Sequence, residues 1–200
     1  INNNPFLYYQ LKQLKRFNFE KIIISTGYKS QVIENYIKKK FKDKSISIVK
    51  DNKYHSGTGG AIKNCLKYIN NNFFVIYGDS YLSINYNKVY KKFLFSKKDL
   101  LITAYKNKNK YDNSNLFIKN NKILDYDKDS KKAEHIDYGV LCINKKAFKG
   151  VKTYRFDLKK IIIRKIQNNN ISFFEVKKRF YEIGNKVSLK EFKEYAKKKL

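Results

Sequence analysis

Four short runs rich in β-branched and other apolar residues constrain this chain more than any other feature: "KIIIST" at residues 21–26, "SISIVK" at 45–50, "FFVIYGDS" at 73–80 and "LLITAY" at 100–105. Strands of this kind are buried on both faces, as in sheets covered by helices. The segments between them have helical spacing. Pro5 suits the first turn of a helix, and Phe6, Leu7, Leu11 and Leu14 share one face of it. Ser30 reads as the N-cap of "QVIENYIKKKF", where Val32, Ile33, Tyr36 and Ile37 line up. Further helices are expected from the glycine-rich stretch to about Tyr68 and over about residues 85–95. The alternation predicts an α/β fold, a doubly wound, mostly parallel (mixed) sheet with helices on both faces.

Beyond residue 105 the pattern changes. "SNLFIKNNKILDYDKDS" reads as a hairpin turning at Asn120 and Asn121, and "HIDYGVLCIN" as a strand. "DLKKIIIRKIQN" is helical, "ISFFEVKKRFYEIG" one bent strand or two, and "LKEFKEYAKKKL" a last helix. In open α/β sheets ligands bind beyond the carboxyl ends of the strands. That rule selects residues 27–30, 55–61, 78–80 and a turn after Tyr138 as the lining of one crevice.

Two hundred residues suffice for one domain with a real core, and 42% are hydrophobic. The net charge of +28 comes from 45 Lys and Arg against 17 Asp and Glu, spread along the whole chain. Lys, Asn, Ile, Phe and Tyr are all in excess and all have A/T-rich codons, so genome bias accounts for the charge without a polyanionic partner. No nucleic acid and no membrane is therefore expected as partner. No apolar run approaches the roughly 20 residues of a membrane-spanning helix, and nothing reads as a signal peptide. A reducing, cytoplasmic setting follows, with Cys65 and Cys142 as small buried hydrophobes. The chain starts at Ile1 and contains no Met, which reads as an N-terminally truncated sequence.

Several stretches carry possible chemistry. "SGTGGAI" sets Gly57, Gly59 and Gly60 just before a helix, either as a tight turn with Thr58 capping, or as backbone lying against a ligand. It is neither a Walker A loop nor a GxGxxG fingerprint. Asp79 ends a buried strand, where it can hold Mg²⁺ or cap its own turn. Glu182 lies in an apolar stretch and needs a partner; the cation-rich composition favours a salt bridge over a metal. Asp127 and Lys128 read as a solvated turn, and His55 and His135 as ordinary loop residues.

Taken in order, "NNNPFLYY", "IIISTGYKSQVIENY", "GTGGAIKN", "FFVIYGDSYL", "DYDK", "IDYGVLCIN" and "RFYEIGN" resemble the sugar-phosphate nucleotidyltransferases over essentially residues 3–195. The likeness is greatest to the branch of D-glycero-α-D-manno-heptose 1-phosphate guanylyltransferases. It implies a Rossmann-like domain that joins an NTP, GTP in this branch, to a sugar 1-phosphate of heptose or mannose type and releases pyrophosphate. It also implies nucleotide binding at Gly57, Thr58, Gly59 and Gly60, and a Mg²⁺ site at Asp79 and Glu182. By the same likeness Asp127 and Lys128 meet the sugar phosphate, Tyr138 and Gly139 approach the sugar, and Asp79 and Lys128 are the catalytic pair.

Three departures qualify this. The family's G-x-G-T-R loop, its following lysine and its central first strand precede the region matched here. Residues 1–200 are thus expected to be one domain lacking those parts, with strand edges open to association and little turnover. Asn4 stands where relatives often have Lys, and Glu182 where many have Asp. A different reading keeps the fold as a non-catalytic regulatory module that binds nucleotide or sugar phosphate; a homo-oligomer is compatible with either.

Overall fold

The computed structural model describes residues 1–51 and 56–200. Helix α1 (Phe6–Leu14) leads into β1 (Ile22–Thr26), α2 (Ser30–Lys40) and β2 (Ile46–Lys50), and the two strands pair in parallel as a separate small sheet. Helix α3 (Gly57–Cys65) follows, then β3 (Asn72–Ile76), the two-residue β4 (Ser80–Tyr81), α4 (Tyr86–Ser96) and β5 (Leu100–Lys106). The remaining elements are β6 (Leu116–Lys119), β7 (Lys122–Tyr126), β8 (His135–Asn144), α5 (Lys159–Gln167), β9 (Ile171–Val176), β10 (Tyr181–Glu182) and α6 (Lys186–Lys199).

The six-stranded sheet runs β7-β6-β8-β5-β9, with β3 also on β8. Strands β5 and β9 are parallel, while β8 is antiparallel to β3, β5 and β6. The α/β class and the mixed sheet match the sequence reading. Parallel pairing itself is confined to β1/β2 and β5/β9, because β8 is inserted between β3 and β5 and pairs with both. The β6/β7 hairpin turns where expected, with Asn120 and Asn121 at φ 50 and 58. Such left-handed positions favour Asn among residues that carry a side chain.

Several local readings change. Ser30 is the first helical residue of α2, preceded by Lys29 in the left-handed region, and no side chain caps that end. The run "FFVIYGDS" bends after Ile76, so that β4 can pair with β10. No turn follows Tyr138; β8 continues through it, with a register shift against β5 between Ile102 and Ala104. His135 is a buried residue of β8 rather than of a loop, and His55 lies outside the described residues. Both cysteines are free and buried.

The core explains the order of the sheet. Leu100, Ile102, Leu141 and Ile143 on β5 and β8 are fully excluded from solvent, and Ile161 and Ile162 of α5 pack on them. On the other side Val89 and Phe93 of α4 cover Leu101 and Cys142. Burying a side chain of this size contributes about 1.5–3 kcal/mol. Helices α1 and α6 meet through Phe6, Tyr9 and Phe192. Among the described residues no helix is long and apolar enough to cross a membrane.

Candidate active site

Between β1 and β3 lies a cavity of about 1510 Å³. Every residue of β1 and β3 lines it. Side chains alternate between faces, so consecutive lining residues mean that both backbone edges look into the slot. Leu7, Leu11 and Leu14 of α1 and Ala61, Ile62 and Cys65 of α3 complete its walls. Thr26 at the end of β1 and Gly27 after it, Gly57 and Thr58 at the start of α3, and Gly78 and Asp79 after β3 share the same cavity. Parts of three of the expected crevice segments are thereby brought together.

The three glycines do not precede α3; they form its first turn. Gly59 and Gly60 donate their N–H groups to the Phe156 carbonyl at 3.0 and 3.2 Å. Thr58 Oγ1 accepts from Leu158 N–H at 2.9 Å, so the hydroxyl serves the neighbouring segment rather than its own helix. At Gly57, φ is +68 and a Cβ would sit 2.7 Å from the Phe156 oxygen. A Cβ on Gly59 would enter the Phe156 ring, and one on Gly60 would meet the Tyr154 carbonyl and Ser56. Lys63 Nζ fastens the same segment by donating to the carbonyls of Val151, Lys152 and Thr153 at 2.8, 3.0 and 3.1 Å. The glycines therefore let α3 lie against the stretch that leads into α5, and only Gly57 and Thr58 of the four face the cavity.

Asp79 is exposed at the rim. Its turn is held from α1, where Gln10 Nε2 donates to the carbonyls of Tyr77 at 3.0 Å and Ser80 at 2.8 Å. The Gln13 amide donates likewise to Leu82. Ser80 Oγ donates to Asp79 Oδ1 at 3.1 Å, and Ile183 N–H to the Asp79 carbonyl at 3.0 Å. The β4/β10 pairing sets Glu182 opposite Ser80, one position from Asp79. The Glu182 carboxylate accepts from Asn185 Nδ2 at 3.4 Å. Among the described residues neither acid forms an ion pair, so the salt bridge expected for Glu182 is not there. No group of three or more His, Cys, Asp or Glu able to hold a metal occurs among the described residues. Two neighbouring carboxylates without a basic partner still fit Mg²⁺, which takes its other ligands from phosphates and water.

Asp127 follows β7 and is paired with Lys159 of α5 at 2.8 Å, while Lys128 is exposed. The Lys159 hydrogen bond holds the Asp127 carboxyl below its ordinary range. The Tyr138 ring is buried, its hydroxyl donating to the Arg179 carbonyl at 3.2 Å. Gly139 has φ +91, its carbonyl accepts from Tyr77 N–H at 3.1 Å, and a Cβ there would lie 3.1 Å from Ser80 Oγ. Gly139 thus abuts the turn that carries Asp79.

Sequence reasoning passed over Gln10, Gln13, Asp137, Phe156 and Lys159. The two glutamines, three apart on the apolar face of α1, were a legible anomaly. So was Asp137, a carboxylate in an apolar run just as Glu182 is. Nothing distinguishes Lys159 from the many other lysines.

Residues 1–115 match the family model described as Nucleotidyl transferase. Two curated relatives are D-glycero-alpha-D-manno-heptose 1-phosphate guanylyltransferases. The one from Campylobacter jejuni subsp. jejuni serotype O:2 is 37% identical over 91 residues, 44% of this chain and 40% of the relative. The one from Aneurinibacillus thermoaerophilus is 33% identical over 103 residues, 51% of this chain and 44% of the relative. The chain thus spans less than half the length of either. Among solved structures, HddC from Yersinia pseudotuberculosis superposes with TM-score 0.81 at 26% identity, covering 96% of this chain and 86% of that one. HddC complexed with GMP-PN gives 0.79 at the same identity and coverage. With more than half its length matched by the family model and the same fold throughout, the chain belongs to the nucleotidyl transferase family.

Proposed function

We propose that this chain is the catalytic part of a sugar-1-phosphate nucleotidyltransferase, with GTP and a heptose- or mannose-type 1-phosphate as substrates. The observation that carries the proposal is the shared cavity, which brings Gly57 and Thr58 at a helix N-terminus and the carboxylate of Asp79 to one rim. The heptose 1-phosphate guanylyltransferase relatives and the HddC complex with GMP-PN support the choice of base and sugar. In the proposed reaction an oxygen of the sugar phosphate bonds to the α-phosphorus while the bond to the bridging oxygen breaks, releasing pyrophosphate. Orientation and charge neutralisation then supply most of the rate.

Gly57, Thr58, Gly59 and Gly60 form the nucleotide side in this reading, with Gly57 and Thr58 in direct reach. Asp79, with Glu182 beside it, would hold Mg²⁺, which supplies neutralisation of the phosphate charge. Asp127 and Lys128 attend the sugar phosphate, with Lys159 beside them, and the backbone at Tyr138 and Gly139 faces the sugar. A cytoplasmic place in nucleotide-sugar supply for lipopolysaccharide or capsule accords with such a product.

We propose further that residues 1–200 are one nucleotidyltransferase domain in which one sheet strand and the glycine-rich phosphate loop come from elsewhere. The slot with two open strand edges supports this. So does its lining, where Lys21 is the one lysine and no arginine occurs among the described residues. Such a lining offers a triphosphate little counter-charge, and residues 1–200 alone should turn over little. The test joins a family G-x-G-T-R segment upstream and measures Mg²⁺-dependent pyrophosphate release from GTP with heptose or mannose 1-phosphate. Release that is lost on Asp79→Ala, without loss of folding, is the expected result. No release with any NTP and sugar phosphate, but retained nucleotide binding, would favour the regulatory module instead.

A further inference from the structure

Asp137 is half-buried in β8, and among the described residues no lysine or arginine pairs with it. In a chain with 45 basic residues that is an anomaly, since an ionised carboxylate without a counter-charge is costly to bury. Neutral donors take the place of the cation. The Tyr77 hydroxyl donates to Oδ2 at 3.2 Å and the Tyr126 hydroxyl to the same oxygen at 3.1 Å. Gly139 N–H donates to Oδ1 at 2.9 Å. Asp137 N–H in turn donates to Asn115 Oδ1 at 2.8 Å, which fixes the residue from the β6 side. One side chain thus ties together β7, β8 and the residue that follows β3.

The consequence runs to the rim of the cavity. The clasp on Gly139 N–H holds that residue at φ +91, where its carbonyl receives Tyr77 N–H and its bare Cα clears Ser80 Oγ. Tyr77 is doubly held, by its hydroxyl on Asp137 and by its amide on Gly139, and it begins the turn that presents Asp79. We propose that Asp137 is a positioning residue of the candidate active site, setting the Gly139 bulge and, through Tyr77, the turn that carries Asp79. The use of that turn rests on the nucleotidyl-transfer reading, but the coupling itself does not.

Burial pushes the Asp137 carboxyl up to about 6, opposed by the three donors. The groups facing it are Tyr77 after β3, Tyr126 on β7 and the amides of β8; Asp157 acts on Tyr126 from the segment before α5. Burial raises both tyrosines, so they remain donors over the accessible pH range. A protonated Asp137 gains one O–H donor and gives up part of its acceptor capacity and its charge, so its hold on the three donors weakens.

Amide hydrogen exchange by NMR on residues 1–200 tests the coupling without any activity assay. Asp137→Ala should speed exchange at Gly139 and Tyr77 by roughly tenfold, the factor for one lost hydrogen bond. Leu101 and Ile102 in β5 should be unaffected. Asp137→Asn should restore most of the protection at Gly139, because its amide oxygen can still accept that N–H. In the unsubstituted chain, protection at Tyr77 corrected for intrinsic exchange should fall as Asp137 takes up its proton, and Asp137→Asn should abolish that pH profile. The last comparison needs no alanine variant, should that variant fail to fold. Unchanged Tyr77 exchange in Asp137→Ala, or a profile at Tyr77 that persists in Asp137→Asn, overturns the proposal. Loss of nucleotide transfer with the exchange pattern as expected would count against the functional reading alone.

Discussion

Replacing Gly60 by Ala tests why the chain concentrates glycine at the start of α3. A Cβ at position 60 would lie 2.6 Å from the Ser56 Cβ and 3.1 Å from the Tyr154 carbonyl carbon, and closer still to its oxygen. Two of these are backbone atoms, which cannot rotate away, so the 151–158 segment must move. Overpacking of this kind costs about 1–3 kcal/mol, and its upper end applies when backbone must shift. Alanine returns about 1 kcal/mol of helix propensity. The net loss is about 2 kcal/mol. For a domain of this size that lowers the melting temperature by about 4–8 °C. The control is Gly27→Ala, where a Cβ would meet nothing within 4 Å; it should be neutral or stabilising by up to about 1 kcal/mol. Thermal and urea melts followed by circular dichroism read both variants. If Gly60→Ala melts with or above the parent, the glycines are not there for the packing of α3 on the 154–157 stretch, and the ligand explanation regains the ground.

Three further outcomes follow from single residues. Gln10→Ala removes the side-chain donor to the Ser80 carbonyl and one of the two donors to the Tyr77 carbonyl, which keeps Ser80 N–H, and should lower stability by about 1–3 kcal/mol in a urea melt. Asp137 makes stability pH-dependent: its folded value of about 6 lies above the ordinary 3.8, so the folded state keeps a proton that the unfolded state has released. Stability should therefore fall as pH rises from about 4 to about 6 by about 3 kcal/mol, and Asp137→Asn should flatten that slope. Cys142 is fully excluded from solvent, and burial raises its thiol; iodoacetamide at about pH 8 should not label it until denaturant is added.

The legible parts of the fold are those dictated by local pattern. Apolar runs such as "KIIIST" and "LLITAY" form strands, the second buried through its first five residues and the first only half-buried, and "NN" between β6 and β7 turns. Asn85 caps α4, the helix read from about residue 85, by accepting from Lys88 N–H at 3.1 Å. What failed was long-range. Ser30 looked like a cap, but nothing in its own segment indicates that the chain enters α2 through a left-handed Lys29. The "YGDS" stretch read as a strand end because its partner, β10, lies a hundred residues away.

The candidate site divides the same way. Composition and period alone determine a lysine-rich α/β chain, and the "GTGGAIKN…GDSYL" order carries its resemblance to the nucleotidyl transferases, since all of these are properties of neighbouring residues. Only the tertiary structure decides what those residues face. It turns Gly59 and Gly60 toward Phe156 instead of the cavity, gives Asp127 the lysine at 159, and sets a half-buried carboxylate at 137 between two tyrosines. Each of these depends on atoms brought together from distant parts of the chain, and hydrogen bonding and steric contact act over a few ångströms of space, whatever the separation in sequence.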